Sequence, residues 1–235
     1  MLKKMLGVGL LLLGVAQAKC DSPYFPVREG WVWTYQNTGT PATTYQQTYL
    51  EVGPESFTQR MKFSDGNTLT SNWTCTENGY MSLNDQRMSG PGMERFKVSN
   101  TNVKGSRWPL GTWNVGTKWS YEYSFMGSTE GMDMTFNLKG EEEVVGQETV
   151  TVPAGTFTAW KLKSRITTSF TSPMLEAMKA SLEAAGNQTP EGMTIPVLDF
   201  MKPVVTESTS WVVEGVGTVK SVAEKYETVL VELKK

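Results

Sequence analysis

The sequence predicts an all-β, mainly antiparallel protein: a curved sheet, an open barrel or a sandwich, with one amphipathic helix inserted near 173–185. Three observations carry this. Apolar and polar residues alternate with period two in segment after segment. Turn signals separate those segments. One stretch alone changes to helical periodicity.

The chain opens with a basic start, Met1-Leu2-Lys3-Lys4, then an apolar run from Met5 to Val15, then the small-x-small triplet Ala16-Gln17-Ala18. That order predicts a secretory signal peptide over 1–18, with an apolar run too short to span a membrane. Cleavage is expected after Ala18. The working protein is then a single β-rich domain, 19–235, exported to a periplasm or secreted. No second apolar span follows the leader, so no transmembrane segment is expected.

The strands follow in order. Trp31, Trp33 and Tyr35 alternate with Val32, Thr34 and Gln36. Phe57, Gln59, Met61 and Phe63 share one face, with Thr58, Arg60 and Lys62 on the other. Ser64-Asp65-Gly66-Asn67 is the turn after them. The stretches 86–93 and 105–116 are glycine-containing and read as loops. Trp119, Tyr121, Tyr123 and Phe125 then alternate with Lys118, Ser120, Glu122 and Ser124. Met132, Met134, Phe136 and Leu138 repeat the pattern, and so do Trp160, Leu162, Ile166 and Phe170. One packed face and one wet face is the antiparallel pattern. Val152-Pro153-Ala154-Gly155-Thr156 reads as a hairpin, with Pro153 presetting φ and Gly155 supplying a left-handed bulge position. Gly215-Val216-Gly217 breaks a late strand before Thr218.

The helical stretch begins at Pro173, which a first turn tolerates, after Ser172 as a cap. Met174, Leu175, Met178, Leu182 and Ala185 form one apolar stripe. The proline-containing segment from Asn187 to Pro203 completes a long crossover.

Gly30-x-x-Trp33-x-Tyr35 returns as Gly116-x-x-Trp119-x-Tyr121, each after a Pro-aliphatic pair. In both, the glycine lets the chain turn into a strand and the aromatics fall on one face. Two half-repeats, 24–105 and 107–235, are one reading. Two similar strand openings arising by chance are the other.

Composition narrows the chemistry. The formal net charge is −2, and loss of Lys3 and Lys4 with the leader takes it to about −4. Nothing there points to nucleic acid. The chain has no histidine, which removes Ser-His-Asp and Cys-His catalysis and the usual zinc and copper(II) ligand. Its two cysteines, Cys20 and Cys75, read as a disulfide in an oxidising compartment. A lipidated Cys20 is the competing reading, and Lys19 in front of it argues against that. The run Glu141-Glu142-Glu143 reads as a solvated strand end, because successive residues of a strand point to alternate faces. No metal or cofactor is expected.

Three motifs carry a resemblance. They are Tyr24-Phe25-Pro26-Val27-x-x-Gly30-x-x-Trp33-x-Tyr35, then Val152-Pro153-Ala154-Gly155-Thr156-Phe157-x-Ala159-x-Lys161, then Gly215-Val216-Gly217-x-Val219-Lys220. Together they resemble a loose group of exported bacterial cell-envelope proteins of unknown function, often lipoproteins. The resemblance implies a curved antiparallel sheet, related in shape to lipoprotein carriers of the periplasm. It implies no catalytic residues.

The aromatic face supplies the candidate site. Trp33, Tyr35, Trp119, Tyr121, Tyr123 and Trp160, with Met178 and Leu182 from the helix, form a candidate apolar ligand face. The same residues would equally make a packed core. The expectation is a non-enzymatic binding or scaffold protein of the cell envelope. Its partner would be an apolar small molecule or an envelope protein. The alternative is a carboxylate-based hydrolase of the envelope.

Overall fold

The computed structural model describes residues 20, 22–39, 42–75, 81–90, 97–109, 111–129, 132–184 and 202–235. Residues 1–18, read as a leader, lie outside them. Twelve strands and one helix follow in chain order. The first half holds β1 (Val32–Asn37), β2 (Thr43–Leu50), β3 (Ser56–Phe63), β4 (Thr68–Cys75), β5 (Met81–Ser89) and β6 (Lys97–Gly105). The second holds β7 (Lys118–Thr129), β8 (Met132–Val152), β9 (Gly155–Thr171), α1 (Pro173–Ala184), β10 (Val204–Val213), β11 (Gly217–Ala223) and β12 (Tyr226–Lys234).

Every strand pairs antiparallel with its neighbour in sequence. This is the curved all-β antiparallel sheet with one inserted helix that the alternation predicts. Its two ends also meet. β1 pairs with β2 on one side and β12 on the other, so the pairings run round a ring. Closure satisfies the backbone groups that two free edge strands would leave unpaired. The join between β5 and β6 is short, from Asp85–Ser99 to Arg87–Lys97.

The local signals land where the chain chemistry puts them, with two corrections. Gly30 and Gly116 both take positive φ, 82° and 89°, and each turns the chain toward a strand. Ser64 to Asn67 joins β3 to β4, where the Asp65 carboxylate accepts from the Asn67 amide at 2.9 Å. The first correction concerns 86–89, read as loop. These residues extend β5, because Gln86 and Arg87 pair with β4 and β6 and the Gln86 amide donates to Ser71 Oγ at 3.0 Å. The second concerns Gly155. It has φ 141° but pairs directly with Val152, so the hairpin carries no bulge; the irregularity sits at Val144–Gly146.

The core lies inside the barrel and at its ends. One buried cluster gathers Trp33, Tyr35, Tyr49, Phe57 and Leu230 with the disulfide; a second gathers Tyr24, Trp113, Val144, Leu162 and Val212. The Cys20–Cys75 bond is present, with Cα atoms 5.2 Å apart. It pins the chain ahead of β1 to the end of β4. That anchored segment is packed in place. Tyr24 stacks on Trp113 at 3.9 Å, Phe25 stacks on Trp108 at 4.9 Å, and Pro23 accepts from the Gly215 amide at 2.7 Å. The tip of the β8–β9 hairpin reaches β12, where the Ala154 amide donates to Leu230 at 3.2 Å.

The helix corrects the sequence reading. α1 forms where periodicity places it, and the Ser172 carbonyl accepts the Glu176 amide at 3.0 Å. Its stripe is not laid on the aromatic face. Met174 is 53% exposed and Met178 40% exposed. The aromatic side chains line the barrel interior, and α1 lies outside it. The side chains of Leu175 and Leu182 lie outside the described residues.

Candidate functional site

The aromatic faces predicted from the alternation converge on a cavity of about 530 Å³ inside the barrel. That lies within the range of small-molecule sites. Each wall comes from the inward parity of a strand. β1 contributes Trp33 and Tyr35, β2 contributes Tyr45 and Tyr49, and β7 contributes Tyr121, Tyr123 and Phe125. Phe25, Pro26 and Trp108 also line it, from the segment ahead of β1 and the β6–β7 connection.

The rings are held by their polar ends. The Trp33 indole N–H donates to the Val216 carbonyl at 2.8 Å, and the Tyr35 hydroxyl donates to the Thr218 carbonyl at 2.9 Å. Tyr35 stacks on Tyr45 at 5.2 Å, and Tyr49 meets Trp33 edge-on at the same distance. The Gln47 amide donates to the Tyr49 hydroxyl at 2.8 Å. Burial pushes the Tyr45 phenol up to about 12 and raises those of Tyr35, Tyr49, Tyr121 and Tyr123 above the usual range.

Of the predicted ligand-face residues, the structure brings four to the cavity wall: Trp33, Tyr35, Tyr121 and Tyr123. Trp119 and Trp160 pack elsewhere, against the cluster of Trp113, Val144 and Leu162. Met178 faces solvent on α1, and Leu182 lies outside the described side chains.

Two polar residues near the cavity escaped the sequence reading. The first is Glu142, read as part of a solvated strand end. Its neighbours do face outward: Glu143 pairs with Lys118 at 3.4 Å and Glu141 with Lys139 at 3.3 Å. Glu142 itself is 8% exposed, and accepts from the Tyr121 hydroxyl at 3.3 Å and from Ser164 Oγ at 2.9 Å. Burial raises its carboxyl above the usual range, against the opposing pull of the Arg107 charge and these two hydrogen bonds. The signal was present. Continuing the alternation Phe136, Leu138, Gly140 puts Glu142 on the inward face.

The second is Arg107, in the β6–β7 connection. Two aromatic residues fix its backbone. Its amide donates to the Tyr123 hydroxyl at 3.2 Å, and its carbonyl accepts the Trp119 indole N–H at 3.2 Å. Its guanidinium sits over Trp108, 5.5 Å from the ring centroid, and lines the cavity. No periodicity marks a residue in such a connection.

A larger concavity of about 960 Å³ lies over β7 to β11. Glu142 lines it together with the charged side chains that alternate with it, and several of those pair with one another, as Lys118 with Glu143 and Arg165 with Glu207 at 3.7 Å. It is an exposed outer face and offers few unpaired groups to a ligand. Among the described residues no group of three or more acidic or cysteine side chains comes together to hold a metal, and no helix is long and apolar enough to cross a membrane.

The whole described architecture matches a solved structure from Bacteroides fragilis, described as an exported protein with a YmcC-like fold. The TM-score is 0.51 at 15% identity, over 92% of this chain and 100% of the other. The fold is shared with that exported protein. A Parabacteroides distasonis protein described as a lipoprotein matches at TM-score 0.48 and 19% identity, over 91% and 99% of the two chains. The hypothetical lipoprotein YmcC from Escherichia coli matches at 0.42 and 13%, over 93% and 89%. No family model and no curated protein matches the chain.

Proposed function

We propose that this chain is an exported, non-enzymatic envelope protein that holds one apolar small molecule inside its barrel. The observation that carries the reading is the roughly 530 Å³ cavity walled by aromatic rings that are anchored through their own polar atoms. Anchored rings offer apolar area at low entropic cost. The disulfide fits an oxidising compartment, and the basic-apolar-small opening of the chain fits export with cleavage after Ala18 to a periplasm or medium. The hydrolase reading finds no carboxylate on the cavity wall: none of the described residues lining the cavity is acidic, and Glu142 lines the separate, larger concavity.

A second reading, contact with an envelope protein, rests on the outward Met174 and Met178 of α1. Methionine-bearing helical faces adapt to partners.

The cavity reading is tested with the neutral apolar dye N-phenyl-1-naphthylamine. The wild-type protein should bind it with a blue-shifted fluorescence gain. Leu69→Trp, which fills the cavity from β4, should abolish that gain while leaving the far-UV circular dichroism unchanged. A dye signal that persists in the filled variant would place binding elsewhere.

A further inference from the structure

We infer that the occupant of the cavity is an amphiphile with an anionic head, and that Arg107 is the residue that receives the head. This rests on the cavity reading above and deepens it.

The argument begins with a charge inventory. Among the described residues lining the cavity, Arg107 is the one charged side chain. The rest of the lining is aromatic, aliphatic or neutral polar, such as Tyr35, Phe125, Leu138, Gln59 and Ser71. A lone cation beside an apolar wall selects for a molecule with one anionic end and one apolar body.

The state of the guanidinium supports this. Arg107 makes its stacking contact with Trp108, but its side chain has no hydrogen bond or ion pair with any described residue. Its five N–H donors are therefore open to a ligand. The nearby carboxylate does not use them. Glu142 accepts from Tyr121 and Ser164, and it forms no ion pair with Arg107 within 4.0 Å. The cation is nonetheless held in place. Its backbone is tied to Tyr123 and Trp119, and its guanidinium carbon lies over the Trp108 ring, 5.5 Å from the centroid. A fixed planar fork matches a carboxylate or phosphate in bidentate geometry.

The arrangement also orients the occupant. Arg107 and Trp108 belong to the β6–β7 connection, while Met61, Leu69 and Ile166 line the cavity from β3, β4 and β9. The head is expected at the connection and the body among the strand side chains.

The experiment measures displacement of N-phenyl-1-naphthylamine at pH 8 by three probes of equal chain length: dodecanoate and dodecylammonium, each below its micelle concentration, and dodecan-1-ol below its solubility limit. It uses the full mature chain, as wild type, Arg107→Gln and Arg107→Lys. In the wild type, dodecanoate should displace the dye about ten- to a hundred-fold more effectively than the alcohol, the range set by a charge-assisted hydrogen bond. Dodecylammonium should be weakest. Arg107→Gln should remove the preference, bringing dodecanoate down toward the alcohol. Arg107→Lys should keep a smaller part of the preference, because a lysine supplies the charge without the bidentate fork. Equal binding of dodecanoate and alcohol by the wild type would overturn the charge assignment and leave the cavity reading standing. Equal loss of all three probes in Arg107→Gln would make Arg107 a structural residue and overturn it too. Failure of the wild type to bind the dye or any probe would overturn both readings together.

Discussion

The phenol ring of Tyr121 in β7 lies across Gly140, its direct cross-strand partner in β8. A Cβ at position 140 would fall into that ring. The missing side chain thus gives the ring its seat, and the seated ring carries its hydroxyl to Glu142, 3.3 Å away. One residue without a side chain sets both the shape of a cavity wall and the partner of a buried carboxyl.

Gly140→Ala should therefore destabilise. Replacing a strand glycine by alanine ordinarily helps by about 0.5–1 kcal/mol. Here overpacking against Tyr121 should outweigh that and cost about 1–3 kcal/mol. In a Tyr121→Ala background the same change should be neutral or stabilising. Urea midpoints of the four proteins close the cycle. An equal loss in both backgrounds would show that the ring is not the obstacle.

Glu142 makes stability fall with rising pH. Its native carboxyl is raised by burial, so above its ordinary value of 4.5 the native state holds more protons than the unfolded state. Stability then declines as pH rises from there through the native pKa, and is flat beyond. Glu142→Gln removes that decline, and its amide oxygen can still accept from Tyr121 and Ser164. The variant should gain on the wild type between pH 4 and pH 7 in thermal melts. A variant that loses ground over that interval would contradict the assignment.

The sheet was legible because its code is local. Period two shows at Tyr121, Tyr123 and Phe125 without knowledge of any partner strand, and these rings do share the cavity wall, while Trp119, of the same parity, packs against the Trp113 cluster. The helix was legible as a helix for the same reason, but not where it packs. Whether Met178 is covered depends on the elements around it, and the structure leaves it 40% exposed. Glu142 was hidden by its two charged neighbours, although parity alone places it inward. Arg107 had no local signal at all, since its importance comes from Trp108, Tyr123 and Trp119 converging on a connection.

Loss of the Cys20–Cys75 bond should be among the most costly single changes. The bond closes a segment with a sequence separation of 55. The chain-entropy model assigns about 4 kcal/mol to a loop of that length. Cys20→Ala with Cys75→Ala should lower the urea midpoint accordingly. It should also release Tyr24 and Phe25, since the segment they stand on loses its anchor. Near-UV circular dichroism reads the Tyr24–Trp113 and Phe25–Trp108 stacks, and an unchanged spectrum would show that the stacks hold the segment unaided.

Met178→Ala should be nearly silent. With its side chain 40% exposed on α1, truncation leaves no internal cavity, and the change should stay within about 0.5 kcal/mol. A loss of about 2 kcal/mol or more, the size of a buried truncation, would mean that α1 packs in solution more closely than its exposure indicates.

Tyr35 supplies a test at the alkaline end. Its phenol is raised well above the usual value, chiefly by burial and then by Tyr45 and Tyr49 beside it. In an unfolded chain the phenol ionises near pH 10. Above that pH the native state therefore keeps a proton the unfolded state has lost, and stability falls as pH rises. Tyr35→Phe removes this slope but also the 2.9 Å hydrogen bond to the Thr218 carbonyl. At pH 8 the variant should be less stable by about 0.5–1.5 kcal/mol. As pH climbs past 10 the gap should narrow, because only the wild type still carries the titrating group. Urea midpoints at pH 8, 10 and 11 measure it. A gap that stays constant or widens would mean that the Tyr35 phenol ionises in the folded barrel, and that water reaches the cavity wall there.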